Sequence, residues 1–129
     1  MTNENEKVVN LGDTREIDLP VLDIKPYVGK MAKIVRVIEC EGQYGYYIKV
    51  ETNVLDTIKG SGGVIDLRAS RVFGLQSDGE GIVGWGVDTK LGKFLKKMGV
   101  DHYRNLKDVE VQVTALYNES KERDYLSFN

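Results

Sequence analysis

From residue 31 onward the chain alternates short runs of β-branched and aromatic residues with glycine-rich or polar interruptions. Residues 31–40 (MAKIVRVIEC) and 44–52 (YGYYIKVET) flank Glu41-Gly42-Gln43, a pattern that predicts two strands joined as a hairpin. Residues 64–69 (VIDLRA) follow Gly60-Ser61-Gly62-Gly63, a predicted turn, and set Ile65, Leu67 and Ala69 against Asp66, Arg68 and Ser70, which predicts a third strand. Then the period changes. Leu91, Phe94, Leu95 and Met98 fall at i, i+3, i+4 and i+7, so residues 89–98 are predicted to form an amphipathic helix, with Asp88 as N-cap, Gly99 as its stop and Gly92 as a slight weakness. Val109, Val111, Val113 and Ala115 alternate with Glu110, Gln112 and Thr114 as a fourth strand. After the polar loop 118–123, residues 125–128 predict a fifth, with Leu126 and Phe128 facing inward. Pro20 and Pro26 both precede residue 30, so no later strand lacks an amide donor.

Five strands with one helix between the third and fourth predict a mainly-β fold, a five-stranded Greek-key OB-type barrel whose helix plugs one end. The segments YVGKMAKIVRV (27–37), GQYGYYIKVET (42–52), DTKLGKFLKKMGV (88–100) and LKDVEVQVTALY with YLSF (106–128) together resemble small OB-fold, single-strand-binding-like proteins of phages and archaea. The resemblance spans residues 25–129 and implies a single-stranded nucleic-acid-binding module with little sequence preference. It rests on hydrophobic spacing and glycine, and it departs at residues 106–109, where Leu-Lys-Asp-Val replaces the usual Leu-x-Gly-Lys-x-Val and Asp108 introduces a carboxylate.

The 129 residues suit one domain of ordinary size. A net charge of −2 conceals an asymmetry. Residues 1–24 carry six acids against two bases, and the remaining 105 carry 14 acids against 16 bases, so an acidic, partly flexible leader precedes a mildly basic domain, 25–129. Residues 17–22 have the pattern of a short extended piece able to dock on the body. No apolar run approaches the roughly 20 residues of a membrane span, and the first ten residues lack a signal-peptide pattern, so a cytoplasmic protein with no membrane partner is expected. One cysteine and one histidine are too few for a zinc cluster or an internal disulfide.

Catalysis finds little material. His102 lies in a polar turn and reads as a surface histidine, while Cys40 alternates with Ile34 and Ile38 and reads as a buried apolar side chain. Residues 79–84 spell GxGxxG, but no β-α-β unit surrounds them and Glu80 would repel phosphate, so a flexible loop is expected. No enzyme, no cofactor and no metal is expected.

What remains is aromatic residues interleaved with bases. Strand 2 is expected to bury Tyr46, Ile48 and Val50 and to turn Tyr47, Lys49 and Glu51 outward, while strand 3 turns Arg68 outward. A base stacked on Tyr47, phosphates held by Lys49, Arg68 and Arg71, and strand ends clamped by Tyr44 at one loop and by Tyr117, Lys121 and Arg123 at the other would bind single-stranded DNA in the first place and RNA in the second. Glu51 and Asp66 share the face, so an ordinary solvated surface is the plainer alternative. The rival function is a protein-interaction or assembly module of the same fold, with a homo-oligomer or protein partner and no nucleic acid. Lys90, Lys93 and Lys97 read as a solvated helix flank, and Trp85 as a seal on one end of the barrel.

Overall fold

The computed structural model describes residues 8–15, 23–60 and 62–129, and its longest strand, β1 (Met31–Gly42), grows from the MAKIVRVIEC run. β2 (Gly45–Thr52) returns antiparallel through a tight turn. The next two strands, β3 (Asp56–Gly60) and β4 (Gly63–Leu67), pair only with each other among the described residues; between them Ser61 lies outside those residues. β5 (Ser70–Gly74) rejoins β2, and a small ladder of β6 (Gln76–Ser77) and β7 (Val83–Gly84) leads to the helix α1 (Lys90–Met98). After a short 3-10 turn, Tyr103–Leu106, the chain closes with β8 (Glu110–Asn118) and β9 (Arg123–Phe128). Five strands form one antiparallel sheet in the order β5-β2-β1-β8-β9.

That sheet corrects two expectations. The strand paired with β2 is residues 70–74, not 64–69. The VIDLRA run finds its partner locally across the glycine turn, so Ile65, expected inside, is 62% exposed, and only Leu55 and Leu67 at the hairpin's base pack on the core. The second correction concerns closure: no backbone ladder joins β5 to β9, and the sheet is not a closed barrel. Side chains span the seam instead. Phe94 of α1 stacks on Phe73 of β5 at 5.2 Å and meets Phe128 of β9 at 5.8 Å, while Arg71 Nη1 donates to the Phe128 carbonyl at 3.1 Å.

A bulge in β1 decides which side chains face inward. Ile34 pairs with Thr52 and Arg36 with Glu51, so Val35 is an extra residue and the parity of the strand reverses there. Ala32 and Ile34 face the core before the bulge; after it Val37, opposite the buried Val50, does so. Cys40, expected to be buried with Ile34, therefore stands opposite Tyr47 on the outer face and is half-buried. Tyr46, also expected inside, is 43% exposed because the β1–β2 hairpin runs past the end of the core.

The helix buries Leu91, Phe94 and Leu95, as its spacing predicts. Its N-cap is Thr89, not Asp88: the threonine hydroxyl donates to Gly86 O at 2.6 Å and accepts from Gly92 N at 3.2 Å, two bonds a carboxylate could not both make. Gly99 ends it in the left-handed conformation, φ 73°. Asp108 also lies in that region, φ 70°, one of few side chains that tolerate it, at the position where the resemblance expects glycine. The GxGxxG segment is a hairpin turn, with Asp78 Oδ1 accepting from Glu80 N and Ile82 N.

Trp85 is half-buried against the core and meets Tyr103 edge-on at 5.5 Å, and so caps one end of it. Trp85→Ala is expected to lower stability by about 2 kcal/mol in urea titration. A loss below roughly 0.5 kcal/mol, the size of a surface substitution, would show that the ring seals nothing. Among the described residues no helix is long and apolar enough to cross a membrane. Residues 17–22 lie outside the described residues; of the leader, Val8, Val9 and Leu11 are exposed.

Candidate nucleic-acid interface

The seam between β5 and β9 opens outward into a groove of about 530 Å³. Five cationic side chains line it: Lys49 from β2, Arg71 from β5, Lys90 from the first turn of α1, Lys121 from the β8–β9 turn and Arg123 from β9. Val72, Leu116 and Tyr125 supply its apolar and aromatic surface, and no carboxylate is part of the lining among the described residues. Each residue arrives there for a local reason. Lys49 and Val72 are register partners on the outer face of the β2–β5 pair, as Leu116 and Tyr125, and Asn118 and Arg123, are on the β8–β9 pair. The turn is set by Asn118, whose Oδ1 accepts from Lys121 N at 3.2 Å and from Ser120 Oγ at 2.8 Å.

Two of the cations are partly engaged. Lys49 Nζ lies 3.4 Å from Glu51 Oε1, and Glu51, expected to face solvent, is 6% exposed beneath Arg36, whose Nη2 reaches its other oxygen at 2.6 Å. The two cations satisfy that carboxylate and hold its pKa below the usual glutamate range, although burial pushes the other way. Arg71, expected to hold phosphate, turns inward, because it pairs with Val50 on the core-facing parity. Its guanidinium lies 4.5 Å from the Phe73 ring centroid and 5.6 Å from that of Phe94, and burial lowers its pKa from the ordinary value. It is a floor cation, not a free arm.

Of the eight residues expected to bind, the fold brings Lys49, Arg71, Lys121 and Arg123 to one groove and leaves four elsewhere. Tyr47 shares the outer face with Lys49, opposite Gly74, and its ring packs over Gly42. Tyr44 sits at the β1–β2 hairpin tip, 96% exposed and outside the lining. Tyr117 alternates with Leu116 and Asn118 and so takes the opposite side of β8. Arg68 falls in the link between β4 and β5, where its Nη1 donates to the Thr52 carbonyl at 3.1 Å. Conversely, Lys90 and Tyr125 line the groove unforeseen. The alternation that turns Leu126 and Phe128 inward already pointed Tyr125 outward, whereas nothing in the helix spacing distinguished Lys90 from Lys93 and Lys97.

His102, expected on the surface, is half-buried: its Nδ1 accepts from Arg104 N at 3.1 Å as the cap of the 3-10 turn, and its ring meets Trp85 at 5.0 Å. Set beside protein-family models, curated proteins and solved structures, the chain matches none of them.

Proposed function

We propose that the protein is a non-enzymatic module that binds single-stranded nucleic acid, DNA in the first place, with little sequence preference, in the groove over the β5–β9 seam. The observation that carries this reading is the convergence of Lys49, Arg71, Lys90, Lys121 and Arg123 on a carboxylate-free lining in a chain of net charge −2. Cations track a phosphate backbone, Tyr125 offers a ring within the groove, and Tyr47 offers a second along the outer face past Val72 and Gly74. The sheet order β5-β2-β1-β8-β9, with α1 between β5 and β8 in the chain, supports placing the fold with OB-type barrels whose last ladder is replaced by side chains.

Titration of labelled deoxy- and ribo-oligonucleotides by fluorescence anisotropy at low and moderate salt tests the reading. Micromolar affinity near 50 mM salt that falls as salt rises is expected; its absence would overturn the proposal. Tyr47→Ala is expected to weaken binding and leave the fold intact, whereas Ile48→Ala, fully buried beside it, is expected to cost about 2–5 kcal/mol of stability. Equal effects of the two on stability would mean that the outer face of β2 is misassigned. A second reading, a protein-interaction module, is favoured by Val64 and Ile65, each 62% exposed on the projecting β3–β4 hairpin. Light scattering that finds a dimer dispersed by Ile65→Lys, in a protein that ignores oligonucleotides, would favour it.

A further inference from the structure

The bulge at Val35 has an effect at the opposite end of the sheet from the groove. Because parity reverses there, Glu39 and Glu41 point to the inner side of the β1–β2 hairpin, beyond the last core layer, opposite Ile48 and Tyr46. Trp85, His102 and Tyr103 face them from the loops on either side of α1, enclosing a pocket of about 520 Å³ that has no residue in common with the cationic groove. The three rings are turned against one another: Trp85 lies 83° from His102 and 64° from Tyr103, with centroids 5.0 and 5.5 Å away. Rings set at such angles form a concave corner rather than a stack, and their faces carry negative potential.

Part of this corner already holds a cation. Arg104 places its guanidinium 6.0 Å from the Tyr103 ring centroid and 3.4 Å from both oxygens of Glu39, which also accepts the Tyr103 hydroxyl at 2.7 Å. Glu41, two residues on and the register partner of the exposed Tyr46, lines the same pocket as Trp85 and makes no hydrogen bond or ion pair among the described residues. We infer that this pocket binds an organic cation of the guanidinium or alkylated-ammonium class, held between the Glu41 carboxylate and the rings of Trp85 and Tyr46. Carboxylate and aromatic face select together: the first requires positive charge, and the second favours a weakly hydrated, charge-dispersed head over a small, strongly hydrated metal ion.

Trp85 is the sole tryptophan, so its emission reports on the pocket directly. The full-length protein is titrated at constant ionic strength with tetramethylammonium, with methylguanidinium and with 3,3-dimethylbutanol, a neutral compound bearing a similar bulky head. A saturable change in emission with the cations below about 10 mM, none with the alcohol, and a roughly tenfold weaker response in Glu41→Gln are expected. Circular dichroism and the oligonucleotide affinity of Glu41→Gln should remain those of the parent, which keeps this site distinct from the groove. A tripeptide with a central arginine separates the sources of the same group. Tighter binding than methylguanidinium assigns the cation to a partner's side chain, equal or weaker binding to a free small molecule, and either supports the site. An equal response to the alcohol, an unchanged response in Glu41→Gln, or saturation by a nucleoside monophosphate with none by the cations would overturn the inference.

Discussion

Gly92→Ala is expected to destabilise the protein by about 3 kcal/mol, although alanine is intrinsically the better helix former by about 1 kcal/mol. A Cβ on Gly92 would stand 2.3 Å from the Gly86 carbonyl oxygen and 2.7 Å from that of Val87, with the Val87 carbonyl carbon at 2.8 Å. Those atoms are backbone and cannot swing aside. They are also tied to the helix start, since the Thr89 hydroxyl bonds Gly86 O. The helix would have to lift from the Gly86–Val87 segment, drawing Phe94 away from Phe73 and Phe128 and loosening the packing that spans the seam. Urea denaturation with both the midpoint and the slope recorded decides it. A raised midpoint at unchanged slope would mean that helix propensity outweighs packing at this position and that the close approach is not real.

The other large effect concerns the groove. Reversing two of its exposed cations together, Lys121→Glu with Arg123→Glu, is expected to weaken oligonucleotide binding about 100-fold near 50 mM salt. The dependence of log affinity on log salt should flatten by about 1.4, roughly 0.7 for each single-strand phosphate no longer neutralised. Both side chains are exposed, so stability should change by no more than about 0.5 kcal/mol. Lys59→Glu is the control, an exposed cation on the β3–β4 hairpin and outside the groove. An equal loss of affinity in the control would mean that overall charge, not the groove, attracts the oligonucleotide. Arg71 is unsuited to this experiment because it also bridges to the Phe128 carbonyl, and its removal would combine stability with binding.

Much of this architecture was legible in one dimension. β1, β2, α1, β8 and β9 each carry a period of two or of 3.6 that could be read, and the buried face of α1 followed from it, as did Val111, Val113, Leu126 and Phe128. Ala115, grouped with Val111 and Val113, is instead exposed, and Ser127 is buried between Leu126 and Phe128. β5 was not legible, because five residues ending in glycine carry too short a pattern, while the stronger neighbouring run, residues 64–69, pairs across its own turn. Four of the five groove cations were legible too, Lys49 by strand alternation and Lys121 and Arg123 by their place at a predicted loop, with Arg71 expected to hold phosphate. Lys90 was not, since it is one of several equivalent lysines until the helix is docked.

Local periodicity by itself therefore determined that this chain is mainly β with one amphipathic helix, and which residues make up most of its core, because burial repeats with the backbone's own geometry. Only the tertiary structure decided that the sheet stays open at β5 and β9, that one inserted residue at Val35 exchanges the two faces of β1, and that five cations from separate elements share one wall. Those outcomes depend on how distant segments meet, and a parity reversal or a seam filled by Arg71 and Phe94 leaves no trace in the spacing of residues along the chain.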